Sequence, residues 1–297
     1  MTGIWALLRT MRPDQWTKNL VLFAGLVFAG GLTDGRLVGL ATSGFLVFCA
    51  LSGATYLFND LIDAQSDRRH PVKRNRPLAS GELSLTAAVT SALVLASGAL
   101  WLAYRIGPGF GLVATGYLGL NVLYSVALRR MVILDVMAIA IGFVLRAVAS
   151  VEVLVGVAPG TEISPWLLVC TFFLALFLGL GKRRHEVLVL GESAREHRST
   201  LRFYAPPLID PLVGVVTAST VVSYAIYSIW PGTVAKVGSA NLVYTVPFVV
   251  YGVFRYLYLM FAEGEGGQPS RSLVTDVHLA VNIILWVLVV SAIIYLR

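Results

Sequence analysis

YLFNDLIDAQSDRRHPVKRNRPLASG, from Tyr56 to Gly81, is the stretch from which the rest of the chain can be read. It opens as the continuation of an apolar run and carries Asp60, Asp63 and Asp67, followed at once by Arg68, Arg69, His70, Lys73, Arg74 and Arg76. The apolar lead predicts a membrane helix whose polar end is 59–67. At about 100° per residue, positions 59, 60, 63 and 67 fall within roughly a 100° arc. Asn59, Asp60, Asp63 and Asp67 therefore put an amide and three carboxylates on one helix face. Like charges so placed repel, and each is costly beside a bilayer. A divalent cation removes that cost. Oxygen ligands with no His or Cys among them suit Mg2+, which takes one or two carboxylates together with substrate phosphates. The plain alternative is a solvated helix end followed by a basic loop, a common arrangement next to membranes.

The composition around this stretch is that of a membrane protein. The 297 residues are 57% hydrophobic and 13% charged, with mean hydropathy +0.78, whereas a soluble domain carries about 25% charged residues. The expected architecture is all-α and polytopic, a single integral membrane domain over 1–297, with membrane lipids as its surroundings. Cys49 and Cys170 both lie in apolar segments and read as small buried hydrophobes, without disulfide or metal spacing. The net charge of +7 does not point to nucleic acid, because the basic residues sit in short loops between apolar segments. Met1 to Asn19 is amphipathic and leads straight into the first apolar run, unlike a cleavable signal peptide.

Apolar segments at 18–33, 37–59, 84–104, 108–128, 132–153, 164–182, 208–230, 241–261 and 274–296 predict nine spans. Gly107-Pro108, Pro159-Gly160, Pro206-Pro207 and Pro231-Gly232 punctuate the joints. A weak internal echo, a mixed acidic and basic loop after a span at both 59–76 and 182–202, hints at two related halves. Of the 23 Lys and Arg, all but Arg36, Arg105, Arg146, Lys236 and Arg297 fall on one side of this arrangement. The positive-inside rule then places the N-terminus and the polar loops in the cytoplasm of a multi-pass cell-membrane protein.

The candidate chemical groups lie on that side. RPDQWTKN places Arg12, Lys18 and Asn19 at the mouth of the first segment; Arg12 reads equally well as an interfacial base beside the anchor Trp16. Lys73 and Arg76, in a loop fixed by Pro71 and Pro77, can hold phosphate oxygens. Tyr124 and Asp135 bracket the loop between spans four and five. Arg146 follows Asp135 by three helical turns on the same face, and an ionisable group at that depth is a site candidate, with a structural ion-pair network as its alternative. Lys182, His185 and Glu186 share a face at i, i+3, i+4, with Arg183 and Arg184 between them; His185 reads as a polar helix-end residue. GESAREH (191–197) reads as an exposed loop, Glu263 to Gly267 as a flexible one, and Asp276 as a helix cap. No nucleophile with a base partner, P-loop or dinucleotide glycine pattern is present.

Nine spans with an NDxxDxxxD cluster and a following basic loop resemble the UbiA-type intramembrane prenyltransferase superfamily. RPxQWxKN at 12–19, NDLIDAQSDRRHPVKRNRPLASG at 59–81, FVLRA at 143–147 and GKRRHE at 181–186 resemble its decaprenyl-phosphate phosphoribosyltransferase branch, across nearly the whole chain. Ordinary members resemble one another in a second aspartate-rich motif after span six. Here that position reads Lys182-Arg183-Arg184-His185-Glu186, which makes direct cationic contact to a phosphate more expected than a second magnesium.

The resemblance implies transfer of a 5-phosphoribosyl group from phosphoribosyl pyrophosphate to a polyprenyl phosphate, with Mg2+ on Asn59, Asp60, Asp63 and Asp67. It implies phosphate contacts from Lys73, Arg76, Lys182 and Arg183, and a hold on the lipid phosphate from Lys18 and Arg146. Asn19, Tyr124 and Glu186 complete the expected substrate-binding set. The rivals are prenyl transfer from a prenyl diphosphate to an aromatic or other small acceptor, against which the missing second aspartate motif argues, and a transporter with midplane charges. Monomer and homo-oligomer are both compatible with the sequence.

Overall fold

The computed structural model describes residues 2–158, 164–190, 200–267, 272 and 275–295. In chain order the helices are α1 (Thr2–Met11), α2 (Ala24–Phe28), α3 (Gly35–Asp67), α4 (Pro77–Ser80), α5 (Leu85–Ile106) and α6 (Pro108–Val126). They continue as α7 (Leu134–Glu152), α8 (Pro165–Leu190), α9 (Pro206–Ile229), α10 (Pro231–Val237), α11 (Val246–Phe261) and α12 (Val277–Tyr295). Among the described residues there is no strand. Local chemistry sets the boundaries. Asp34 accepts from the N–H of Arg36 at 2.8 Å to start α3, and Ser84 accepts from Ala87 at 3.2 Å to start α5. Proline opens α4, α6, α8, α9 and α10, where its missing N–H costs nothing.

Eight helical segments among the described residues are long and apolar enough to cross a membrane, against the nine expected. The difference lies at 18–33. Pro13–Phe23 winds as a 3-10 helix, α2 adds only five residues, and Gly30, in the left-handed region at φ 69°, closes the segment. The run was short for a span, and Asn19 within it is fully buried. A polar side chain that must find partners in the interior holds the segment close to the protein.

The chain packs as two compact units. The first is Met1–Val126 with Leu145–Glu162; the second is Ala127–Val144 with Ile163–Arg297. The first is built around Leu22, Leu26, Phe48, Leu51, Phe110 and Tyr117, together with Ala149 from α7 and Leu154 from the turn after it. Gly25 is required here: a Cβ at that position would overlap the carbonyl of Ser150. A smaller cluster, Ala6, Met11, Leu57, Leu78 and Leu83, seats α1 on α3 and α4. The second unit is built around Val136, Phe177, Leu180, Tyr204, Ile209 and Tyr256. In lipid, apolar burial gives helices little reason to associate, so close packing and buried polar pairs hold such units together.

Candidate functional site

In the first unit, α3 runs unbroken through Asp67, so the polar face read from the sequence is the end of a 33-residue helix. Asp60 and Asp67 are buried, at 2% and 3% exposure. Two guanidiniums meet them. Arg76 donates to Asp67 Oδ2 at 2.6 Å and to Asp60 Oδ1 at 3.3 Å, and Arg12 donates to the same Asp60 Oδ1 at 2.7 Å. Charge-assisted pairing of this kind offsets the burial of two carboxylates that would otherwise repel.

The loop that delivers Arg76 is ordered by its own sequence. His70 Nδ1 accepts from the backbone N–H groups of Val72 and Lys73, both at 3.2 Å. Lys73–Asn75 is one 3-10 turn, α4 follows, and Gly81 in the left-handed region at φ 88° ends it. The loop is thus fixed, as its prolines suggested, but partly helical. Arg12 is delivered by a strained backbone: its φ of 52° is rare outside glycine. The guanidinium also lies 4.8 Å from the centre of the Tyr56 ring. Sequence alone left Arg12 balanced between interface and site, and nothing in RPDQWTKN announces the left-handed turn.

Whether this face suits a metal is a question of donors. The donors are all oxygen, and Asn59 Oδ1 is buried without a hydrogen-bond partner, an acceptor whose burial a cation would compensate. The chemistry fits a hard cation. The ligands are not drawn together in advance: among the described residues no three His, Cys, Asp or Glu side chains converge on one point. Asp60 and Asp67 are bridged by Arg76 instead.

Deeper in the same unit, Asn19 and Arg146 meet. Arg146 donates from Nε to Asn19 Oδ1 at 2.8 Å and from Nη2 to the Tyr117 hydroxyl at 2.7 Å. The Tyr117 hydroxyl lies 3.2 Å from Ser52 Oγ, and Asn19 Nδ2 lies 3.4 Å from both Ser52 Oγ and Cys49 Sγ. Arg146 is 8% exposed. Two residues 127 positions apart, each singled out from sequence, are thus direct partners. Lys18 and Tyr124 are half-buried and Lys73 is likewise partly covered.

In the second unit Asp135 lies in the first turn of α7 and is fully buried. It accepts from Arg183 Nε at 3.0 Å and from the Tyr204 hydroxyl at 2.5 Å. The Tyr204 hydroxyl in turn accepts from the backbone N–H of Ile133 at 2.7 Å. Ile133 has φ 70°, a genuine outlier for a β-branched residue. Burial, reinforced by Asp135, pushes the Tyr204 phenol up, so it stays a donor across the working pH range. Arg183 completes the chain by donating from Nη1 to Glu186 at 2.6 Å.

Asp135 and Arg146 share a helix face but serve different networks, one in each unit. Arg183, expected at a phosphate, is only 4% exposed at its side chain and is held by two carboxylates. Lys182, 49% exposed and 3.9 Å from Glu186, is the outward cation of the run. Tyr204 was missed, since a single tyrosine ahead of Ala205-Pro206-Pro207 carries no pattern.

The rest of the 182–186 run ties helix ends together. Arg184 donates to Asp210 at 2.8 Å and to the carbonyl of Met260 at 3.1 Å, and His185 Nδ1 donates to the carbonyl of Gly264 at 2.7 Å. Glu263 accepts from the Tyr258 hydroxyl at 2.8 Å, and Glu265 N–H bonds the Leu259 carbonyl at 2.8 Å. The segment from Glu263 to Gly267, expected to be flexible, is therefore a held turn. Asp276 does cap α12, accepting from Leu279 N–H at 2.8 Å, and also pairs with Arg255 at 2.8 Å. GESAREH (191–197) and Pro159-Gly160 lie outside the described residues.

Comparison with known proteins adds to this geometry. The model of the UbiA prenyltransferase family matches residues 19–274. A decaprenyl-phosphate phosphoribosyltransferase of Corynebacterium glutamicum is 30% identical over 298 residues, covering 98% of this chain and 87% of that protein. Enzymes of the same name from Mycolicibacterium smegmatis and Mycobacterium tuberculosis are each 28% identical, over 97% and 96% of this chain and 92% of theirs. Among solved structures, a UbiA homolog from Archaeoglobus fulgidus bound to DMAPP and Mg2+ superposes with a TM-score of 0.73. It is 20% identical and covers 98% of this chain and 99% of its own. That likeness is one of fold.

Proposed function

The chain belongs to the UbiA prenyltransferase family, a multi-pass membrane transferase, and on that premise we propose that it moves a 5-phosphoribosyl group from phosphoribosyl pyrophosphate onto a polyprenyl phosphate, releasing pyrophosphate. The observation that carries this reading is the run Lys182-Arg183-Arg184-His185-Glu186 where ordinary members of the family have a second aspartate-rich motif. The full-length similarity to three decaprenyl-phosphate phosphoribosyltransferases supports it. Because the family's match runs across both packing units, the whole chain is read as one catalytic domain. The excess of basic loops on one side supports a cell-membrane protein whose site faces the cytoplasm.

The chemistry divides among named residues. Asn59, Asp60, Asp63 and Asp67 would hold Mg2+, which when bound supplies positive charge to the leaving pyrophosphate. Lys73 and Arg76 take pyrophosphate oxygens, and Lys182 takes the 5-phosphate. Arg183, immobilised by Asp135 and Glu186, fixes the carboxylate that faces Lys182. Lys18 attracts the lipid phosphate, and Arg146 holds Asn19 in place behind it. The acceptor phosphate is already an ionised nucleophile, so no general base is needed. The bond from ribose C1 to the pyrophosphate oxygen breaks, its electron pair leaving with pyrophosphate, and a bond from C1 to the lipid phosphate oxygen forms. Positioning and charge stabilisation supply the catalysis.

Purified protein in detergent with Mg2+, polyprenyl phosphate and labelled phosphoribosyl pyrophosphate tests the proposal. Label is expected to enter the organic phase, and to stay out of it with Asp63→Asn or with EDTA. Turnover of a prenyl diphosphate with an aromatic acceptor, and none with phosphoribosyl pyrophosphate, would replace it with prenyl transfer.

A further inference from the structure

The second unit carries a groove that the proposed chemistry does not use. Gly214, Ala218 and Val222 on α9 and Phe254, Leu257 and Phe261 on α11 line a cleft of about 720 Å3, and all of them belong to that unit. Its walls are apolar even where a hydroxyl falls among them, because Thr217 Oγ1 donates to the Val213 carbonyl at 2.7 Å and is satisfied within α9. At Gly214 the cleft is open, with nothing within 4 Å of where a Cβ would stand. From Asp210 to Val222 it follows α9 for about 18 Å, close to one half of a hydrocarbon layer about 30 Å thick. A hydrocarbon chain lying within one leaflet matches that length.

One end of the groove is polar. Asp210, near the start of α9, and Tyr258, near the end of α11, close it, and Glu263 follows the lining residue Ala262. The cation at this end is turned inward. Arg184 donates to Asp210 at 2.8 Å and to the Met260 carbonyl at 3.1 Å, lies 3.9 Å from the centre of the Phe261 ring, and is 13% exposed at its side chain. Arg255, 5.0 Å from the Tyr258 ring, is balanced by Asp276. Asp210 and Arg184 likewise balance each other, whereas Glu263 is exposed, accepts from the Tyr258 hydroxyl at 2.8 Å, and has no ion pair among the described residues. The rim therefore carries an uncompensated negative charge. A lipid that ends in a phosphate alone is repelled there, while an ammonium finds an open carboxylate.

We propose that this groove is a binding site for an amine-headed, zwitterionic phospholipid of the leaflet on that side, one acyl chain lying between α9 and α11 and the ammonium resting on Glu263. This resident lipid is distinct from the lipid phosphate that the enzyme consumes. Charge sorts the two: the amine goes to the acidic rim of the second unit, and the phosphate-headed substrate to the basic stretch at 68–76 in the first.

Native mass spectrometry of the full-length protein, released from detergent, tests the proposal by counting retained lipids. Phosphatidylethanolamine, phosphatidylglycerol and a polyprenyl phosphate are supplied at equal concentration. A single unbalanced charge at contact distance in water is worth about 1 kcal/mol, so phosphatidylethanolamine is expected to be retained about fivefold over either of the others. Glu263→Gln, at an exposed residue, is expected to narrow its preference over phosphatidylglycerol to below about twofold. Gly214→Leu places a side chain in open space and favours the helix. It is expected to lower phosphatidylethanolamine retention severalfold, with thermal unfolding in lipid-free detergent no earlier than in the wild type. Equal retention of the three lipids by the wild type would overturn the proposal, as would phosphatidylethanolamine retention that Gly214→Leu leaves unchanged. Polyprenyl phosphate lost on Gly214→Leu would give the groove to the substrate's tail instead, and an oligomer dissociated by it would give the groove to a second copy. None of these outcomes depends on which donor the enzyme uses.

Discussion

Ile133 and Tyr204 show how a single residue can hold a site without touching it. The Ile133 N–H donates to the Tyr204 hydroxyl, that hydroxyl donates a hydrogen bond to Asp135, and Asp135 accepts from Arg183. Tyr204→Phe removes two of these links with little change in shape. A hydrogen bond to a charged partner contributes about 1.5–3 kcal/mol, so thermal stability in detergent is expected to fall measurably. If Arg183 positions Glu186, KM for phosphoribosyl pyrophosphate rises several-fold while the KM for polyprenyl phosphate holds; equal changes in both would make Tyr204 a packing residue only. Arg146→Gln is a contrasting case. It strips the Asn19 and Tyr117 bonds from a buried network, and is expected to unfold the protein at markedly lower temperature, whereas Lys182→Gln, at a half-exposed residue, leaves thermal unfolding unchanged and lowers transfer. The chemistry of these residues was legible in sequence: an arginine inside apolar sequence demands partners. Which partners it finds was not, because Asn19 and Arg146 are brought together only by packing.

At the level of the helix, boundaries were the more legible part where a cap or proline writes them. Asp276 is the clear example. It caps α12 and binds Arg255, and that guanidinium holds its carboxyl below the usual carboxylate range. A depressed value means that the stabilisation is fully present above the ordinary carboxylate range and lost as pH falls through the depressed one. Asp276→Asn keeps a capping oxygen but not the charge, and Asp276→Ala keeps neither. Melting curves at neutral pH should rank wild type above Asn above Ala, and the gap between wild type and Asn should close as the pH falls below the ordinary carboxylate range and through the depressed value. A gap independent of pH would show that the ion pair contributes nothing. The segment at 18–33 winds as a 3-10 turn and a short helix rather than as one long helix, and hydropathy counts apolar residues without asking what a buried Asn19 must bond. Likewise Glu263 to Gly267 has the glycine content of a loose loop, and only the fold brings it the side chain of His185.

For the whole molecule, the all-α membrane architecture follows from apolar periodicity and length, since helices that satisfy their own backbone are among the few structures a bilayer tolerates. The division into two compact units had only the faint echo of loops 59–76 and 182–202 behind it. That echo falls with one loop in each unit. Orientation remains a proposal and has a direct test. Single cysteines introduced at Glu82 and at Lys236 should differ in labelling by an impermeant maleimide in intact cells, with only the position near Lys236 reacting. The reverse pattern would invert the topology and move the acidic face to the outside.

The length of α3 has its own consequence. Its 33 residues extend about 50 Å, and Asp60 stands ~38 Å along the axis from Gly35, whereas the hydrocarbon slab is about 30 Å thick. A helix that enters the hydrocarbon near Gly35 would thus carry its carboxylates past the oily interior to the depth at which phospholipid headgroups float. On the proposed function, a lipid phosphate would meet them there without being lifted out of its leaflet, and a sugar phosphate dissolved in water would meet them without entering the oil. The end of α3 would then be a landing stage, at the one level that a passenger bound to the membrane and a waterborne cargo can both reach.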